Sequence, residues 1–435
     1  MRYMSKAKKE EEVKEIKEEK EPKPEKKEPE EKVKVRTEKD LVGSGEVSII
    51  KLVDSLMKEA YVLGASDVHI DPESDRVRVR LRIDGVMHDA FIFDKELSAE
   101  ITSRLKVLSG LRTDEHQAAQ DGRFRVSVDK NVDVDIRLSI APTYYGENAV
   151  MRLLAQQSAG FTLETLGFSP SNREKIERAI RKPYGMILAT GPTGSGKTTT
   201  LYTIIRMLNT PAISIITIED PIEYSISGIE QIQVNARTGI TFAAGLRSIL
   251  RQDPNVIMVG EIRDEETAGI AVNAALTGHL LLSTLHTNDA ATTLPRLMDM
   301  KIEPFLIAST VNVAMGQRLV RKICQDCKEE RQITDAEFKS LTEVLPANLL
   351  TRGLKFYAGK GCATCEHTGY KSRIGIHEVM EMNEEIREAI MRRANSDEIQ
   401  KIAVKHGTVP MLEDGFQKAL IGLTTIEEIL RVIHE

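Results

Sequence analysis

The 435 residues contain no tryptophan, and aromatic side chains make up only 4 % of the chain. The 41 % hydrophobic content is still enough to build real cores. Surplus positive charge is also missing. The net charge of −6 gives no electrostatic reason to expect a nucleic acid as the main partner. No apolar run approaches the ~18 residues that a membrane span requires. The opening Met1-Arg2-Tyr3-Met4-Ser5-Lys6 runs straight into Lys and Glu and does not read as a secretory signal, so a cytosolic location is expected. Cysteine is scarce: the four present form two C-x-x-C units, a spacing that without export favours metal over disulfides.

At one domain per ~150 residues, this length predicts two or three domains. Residues 1–44 are mostly Lys and Glu, with prolines at Pro22, Pro24 and Pro29, and read as a disordered charged tail. A short recruitment helix near Val13 to Ile16 is the sharper alternative there. Gly43-Ser44-Gly45 marks a hinge into ordered chain. Residues 45–155 read as a small α+β domain, PAS-like in class. Its elements are an amphipathic helix over Val47 to Leu63 and an alternating strand Val77 to Ile83 closed by Asp84-Gly85. A helix from about Ala99 to Leu108 and alternating strands Gly122 to Val128 and Val132 to Ile140 follow. Residues 156–435 read as a RecA-like α/β domain: a linker near 156–167, a helix from about Pro170 to Ile180, then short apolar strands alternating with helices to about Leu294. The remainder is expected to be mainly helical, interrupted by the cysteine segment 324–365.

The octet Gly191-Pro192-Thr193-Gly194-Ser195-Gly196-Lys197-Thr198 satisfies G-x-x-x-x-G-K-[ST]. The run Met186-Ile187-Leu188-Ala189 precedes it and an apolar helical pattern follows, which is the context a phosphate-wrapping loop requires. Backbone N–H groups and a helix N-terminus would face a nucleotide's phosphates. Lys197 would reach the β- and γ-phosphates, and the Thr198 hydroxyl would serve Mg²⁺.

Two further strands end in acids. Ile213 to Ile218 runs into Glu219-Asp220-Pro221-Ile222-Glu223, and Val256 to Val259 runs into Gly260-Glu261-Ile262-Arg263-Asp264. Open α/β sheets place their ligand crevice at such ends. Glu261 is expected to orient the Mg²⁺ shell and Glu219 to polarise the attacking water, although the reverse assignment fits the sequence too. A third strand, His279 to His286, carries a histidine at each end. Arg123 and Arg137, taken alone, look like surface ion-pair partners. Cys324, Cys327, Cys362 and Cys365 can complete a closed tetrahedral thiolate site suited to structural Zn²⁺.

With these segments placed, the chain resembles the type II secretion and type IV pilus assembly ATPase family over roughly residues 45–435. Gly191 to Thr198 is similar to that family's Walker A, and Thr217 to Tyr224 to its Asp box. Val259 to Asp264 resembles its atypical Walker B, and Thr277 to Asn288 its His box. The resemblance implies catalytic roles for His279 and His286 and an approach of Arg123 and Arg137 to the γ-phosphate. It also implies a homo-hexamer that hydrolyses ATP with Mg²⁺, and an inner-membrane platform protein as partner at the cytoplasmic face. The tetracysteine segment favours the assembly and secretion branch over retraction motors. Longer members begin with an additional folded domain, where this chain has a charge-rich stretch of about 44 residues.

Overall fold

Alternation of apolar and charged residues builds the first sheet. In a computed structural model, residues 35–43, 48–129, 132–154, 160–332, 338–339, 341 and 354–434 are described. The tail, the recruitment helix near Val13 and most of the Gly43-Ser44-Gly45 hinge lie outside them. By compactness the chain divides into 1–32 and 33–435, and everything below concerns the second unit.

Strands β1 (Arg36–Thr37), β2 (Ala65–Pro72), β3 (Arg76–Ile83), β4 (Val86–Asp94), β5 (Gln120–Asp129), β6 (Val132–Thr143) and β7 (Gly146–Leu154) are ordered β1-β4-β3-β2-β7-β6-β5. All these pairings are antiparallel except that of β1 with β4. Val77, Val79 and Leu81 of β3 are fully buried, while Arg78 and Arg80 turn outward to Asp89 and Asp71. This is the period-two pattern of a half-covered sheet. Short helix α1 (Glu38–Val42) and helices α2 (Ile49–Val62) and α3 (Leu97–Leu108) accompany the sheet. Leu52 and Leu56 of α2 and Ile101 and Leu105 of α3 share one core with Val79, Phe91, Ile136 and Met151. Strand β2 was not expected. A register shift between Ala65 and Asp67 interrupts its alternation, and the outward Asp67 carboxylate is covered because Arg82 and Arg152 pair with it.

At its centre the second sheet is made from near-continuous apolar runs. Its strands are β8 (Gly185–Thr190), β9 (Ile215–Glu219), β10 (Glu230–Gln233), β11 (Val256–Val259), β12 (Leu280–Leu285), β13 (Val311–Ile323) and β16 (Tyr370–Glu381). A separate pair, β14 (Lys328–Arg331) and β15 (Phe356–Gly359), lies beside the cysteines. The order is β10-β9-β11-β12-β8-β13-β16, parallel throughout except for β16 against β13. Every residue of β8, β11 and β12 is buried, as expected of parallel strands covered on both faces.

Successive residues of β8 serve opposite sides. Met186 and Leu188 pack with helices α6 (Phe242–Ile249), α7 (Glu265–Leu276), α8 (Thr293–Asp299) and α9 (Pro304–Thr310). Ile187 and Ala189 pack with α4 (Pro170–Ile180) and α5 (Lys197–Leu208). The molecule is thus an α/β fold with one mostly antiparallel and one mostly parallel sheet.

One expectation is corrected. The part beyond Leu294 is not mainly helical, because it supplies β13 and β16, the longest strands of the second sheet. An apolar run such as Val311 to Gly316 carries no period that separates a buried strand from a buried helix. Four helices then close the chain: Glu384–Met391, Ser396–Lys405, Met411–Leu420 and Ile426–His434. Among the described residues, two polar bridges join the sheets. At the β3–β4 turn, Asp84 accepts from the Ser372 N–H at 2.7 Å and lies 3.6 Å from Arg373. Arg137 of β6 donates to the Ile222 carbonyl at 2.6 Å.

Candidate functional site: the loop after β8 and the strand ends around it

Between β8 and α5 the backbone turns through three positive-φ glycines, Gly191, Gly194 and Gly196. Such dihedrals are open to glycine at little cost, which explains that spacing in the octet. Pro192, Thr193 and Gly194 are exposed, whereas Ser195 and Lys197 are buried. The Lys197 ammonium donates to the carbonyls of Gly191 and Pro192 at 2.8 and 2.9 Å. Burial pushes its pKa down to about 8, against the opposing pull of the Glu261 charge.

β9 and β11 are neighbours, so their acids emerge side by side at the sheet edge that carries the loop. Glu219 is 2 % exposed. Its Oε2 accepts from the Tyr202 hydroxyl, and its Oε1 accepts from Thr217 at 2.5 Å and from the Gln231 amide at 3.2 Å. Burial raises the Glu219 pKa despite these donors. A carboxylate offers about four lone-pair sites, so one remains for a further donor such as water. Glu261 is more open, and its Oε2 meets Arg263 at 2.8 Å and His286 at 3.2 Å. A cavity of about 350 Å³ adjoins them, lined by Ile262, Arg263, His286, Arg296 and Met300.

The two histidines part company. β12 runs parallel to β8 with Leu280 opposite Gly185 and Leu285 opposite Thr190. His286 therefore follows the edge that carries the loop, and His279 precedes the opposite one. There the His279 Nδ1 lies 3.0 Å from the Ala274 carbonyl, where it closes the end of α7. The geometry takes His279 out of this chain's site. Arg123 and Arg137 face each other across β5 and β6. Arg137 also lies 3.4 Å from Glu223, on the segment that follows Glu219. Arg123 is exposed.

The cysteine sulfurs lie within 4.8 Å of one another, with Cys324–Cys362 and Cys327–Cys365 at 3.8 Å and Cys362–Cys365 at 3.7 Å. A tetrahedron with Zn–S bonds of about 2.3 Å requires sulfurs about 3.8 Å apart, whereas a disulfide requires about 2.05 Å. Backbone N–H groups of Cys362 and Gly369 point at Cys365 Sγ at 3.2 and 3.3 Å, as they would toward a metal-bound thiolate. The four residues fit a closed structural zinc site.

Sequence reasoning missed Tyr202, Gln231 and Gln317. Tyr202 and Gln231 hold Glu219, and Gln317 of β13 bonds to the glycine loop. The polar pair Gln317-Arg318 between the apolar stretches Val313 to Met315 and Leu319-Val320 was the available signal for Gln317.

Comparison with known proteins adds the following. A family model described as "Type II/IV secretion system protein" matches residues 43–431. The "Type IV pilus assembly ATPase PilB" of Thermus thermophilus is 47 % identical over 87 % of this chain, which spans 42 % of that relative's length. The "Type II secretion system protein E" of Aeromonas hydrophila is 44 % identical over 92 % of the chain and 78 % of its own length. Among solved structures, the "Pilus Retraction Motor PilT" with bound ADP is 26 % identical, with TM-score 0.60 over 87 % of this chain and 96 % of that one. The Legionella pneumophila ATPase DotB, at 22 % identity and TM-score 0.64 over 88 % of this chain and 95 % of that one, shares the fold.

Two outcomes follow for the purified chain. A phosphate beside Lys197 favours the ammonium, so binding of Mg²⁺-ADP should take up about one proton at pH 9 and almost none at pH 7. Affinity therefore falls as pH rises through about 8, and calorimetry in buffers of different ionisation enthalpy measures the uptake. Metal analysis should find about one zinc per chain. Its removal by a chelator should lower the melting temperature of the segment around β13 to β16.

Proposed function

The chain belongs to the Type II/IV secretion system protein family, and from that premise we propose that it is an ATP hydrolase of the type IV pilus assembly and type II secretion branch. The reading is supported most by the meeting, at one sheet edge, of a glycine loop, a buried lysine and two carboxylates from adjacent strands. In it, the loop 191–196 and the start of α5 receive the phosphates, and Lys197 leaves its two carbonyls for them. Thr198 and Glu261 hold the Mg²⁺ shell. The ion, when bound, neutralises charge on the β- and γ-phosphates. Glu219, with its raised pKa and one free lone-pair site, accepts the proton of the attacking water. His286 and Arg263 fix the Glu261 carboxylate. Arg123 and Arg137 serve charge building on the γ-phosphate at a boundary between domains or subunits.

The wider assignment is a homo-hexamer at the cytoplasmic face of the inner membrane. There a PAS-like small domain, 45–155, moves against the RecA-like domain, 156–435, and turns a platform protein. A retraction motor is the second reading, supported by the likeness to PilT. Identities of 42–47 % to assembly and secretion relatives, and the four clustered cysteines, weigh for the first.

Lys197→Ala should abolish nucleotide binding. Glu261→Gln and Glu219→Gln should bind ATP but lose at least ~100-fold in turnover, the scale of one acid–base or charge-positioning group. Unchanged turnover in either glutamine variant removes that residue's role. Specific ATPase activity measured against protein concentration should rise and then plateau as subunits assemble, while a flat profile would count against a shared site.

A further inference from the structure

Both amide atoms of Gln317 are committed to the glycine loop and its helix. Its Nε2 donates to the Ser195 carbonyl at 2.7 Å, and its Oε1 accepts from the Thr200 hydroxyl at 2.7 Å. The residue is 1 % exposed on β13, the strand next to the one that delivers the loop. A β-carbon on Gly196 would lie 2.7 Å from Gln317 Nε2, and one on Gly191 would lie 2.3 Å from the Gln317 carbonyl oxygen. Gln317 therefore presses on both ends of the loop, and glycine is required there by crowding as well as by positive φ.

The consequence lies in the peptide plane. In a planar trans peptide, C=O and N–H point in opposite directions. With the Ser195 carbonyl turned toward Gln317, the Gly196 N–H turns away from β13. It then joins the N–H groups at the start of α5, which have no partners within the helix. We propose that Gln317 is a positioning residue for the phosphate chain of the nucleotide, because it locks the Ser195–Gly196 plane with its N–H presented to anion oxygens. The Ser195 carbonyl, which can only accept, takes the NH₂ and so sets the amide the right way round, and the Thr200 hydroxyl then donates to the remaining oxygen. This assignment rests on the nucleotide-site reading above and adds to it a residue from a strand outside the motif.

The test uses the full chain, Mg²⁺ and two probes: fluorescent mant-ADP, and pyrophosphate as a competitor that touches only the phosphate site. Gln317→Met keeps the length and loses both bonds. It should weaken mant-ADP about ten-fold, the worth of one such hydrogen bond. Pyrophosphate should weaken by the same factor, with the KM for ATP rising more than kcat falls. Gln317→Glu keeps the shape and the Thr200 bond and, assayed at a pH high enough to ionise it, cannot donate to Ser195, so there it should weaken both probes at least as much. Thr200→Val, which spares the Ser195 bond, should cost less than either.

Binding of both probes within two-fold of the parent by Gln317→Glu and Gln317→Met overturns the proposal. So does weakening of mant-ADP without weakening of pyrophosphate. Should Gln317→Met give no cooperative melt, the isosteric Gln317→Glu decides alone by the same criteria. Failure of the parent chain to bind mant-ADP is a separate result, which overturns the nucleotide-site reading itself.

Discussion

A loop that turns its N–H groups inward to receive an anion must turn carbonyls outward, and those carbonyls need donors of their own. Much of the second sheet meets that demand here. The Gly191 and Pro192 carbonyls are held by Lys197 and the Ser195 carbonyl by Gln317. The strand just before the loop is tied across by Thr190, whose hydroxyl lies against the Leu285 and Thr287 carbonyls. Ser283 and Thr284 extend the ties to the Val259 and Gly260 carbonyls, so the strand ends that carry His286 and Glu261 are stitched together. The central strands β8, β11 and β12 are mostly apolar along their length, and their polar residues gather toward this one edge. A ligand crevice in a parallel sheet calls for that arrangement.

What could be read in advance followed from periodicity and from local rules. The octet and its flanking strand and helix depend on neighbours in sequence, as do the alternation of β3 and the capped start of α4 at Ser169 and Pro170. Hidden features depended on partners remote in sequence. Asp67 could be foreseen as a buried strand residue only by knowing that Arg82 and Arg152 would arrive to cover it on the outer face. Tyr202 and Gln231 reach Glu219 from a helix and an edge strand, and no spacing rule connects them. His279 and His286 look equivalent on a symmetrical apolar run. Only the parallel register against β8 shows that they lie at opposite edges of the sheet. The four cysteines were legible because paired C-x-x-C units already carry half of the site's geometry in the sequence.

The cysteine cluster sits where β13 ends and β16 begins. The Cys324 N–H donates to the Gly369 carbonyl and the Gly369 N–H points at Cys365 Sγ, so both long strands are tied at one end. Midway along, β13 carries Gln317 against the loop. The strand is thus fixed at its cysteine end and bonded to the loop at its middle, which gives a firm wall for a loop that must hold its shape.

The joint between the two sheets is of another kind. Its described polar ties are the half-exposed contacts of Asp84 with Ser372 and Arg373 and of Arg137 with Ile222 and Glu223. Partly solvated contacts of this sort are worth together about 2–4 kcal/mol. On these ties alone, a parted arrangement would be populated at roughly 0.1–3 % without any ligand. On these ties, the first sheet needs no forcing to leave its seat. In the function proposed above, hydrolysis beside the segment that carries Ile222 and Glu223 has only to select between arrangements already open to the chain.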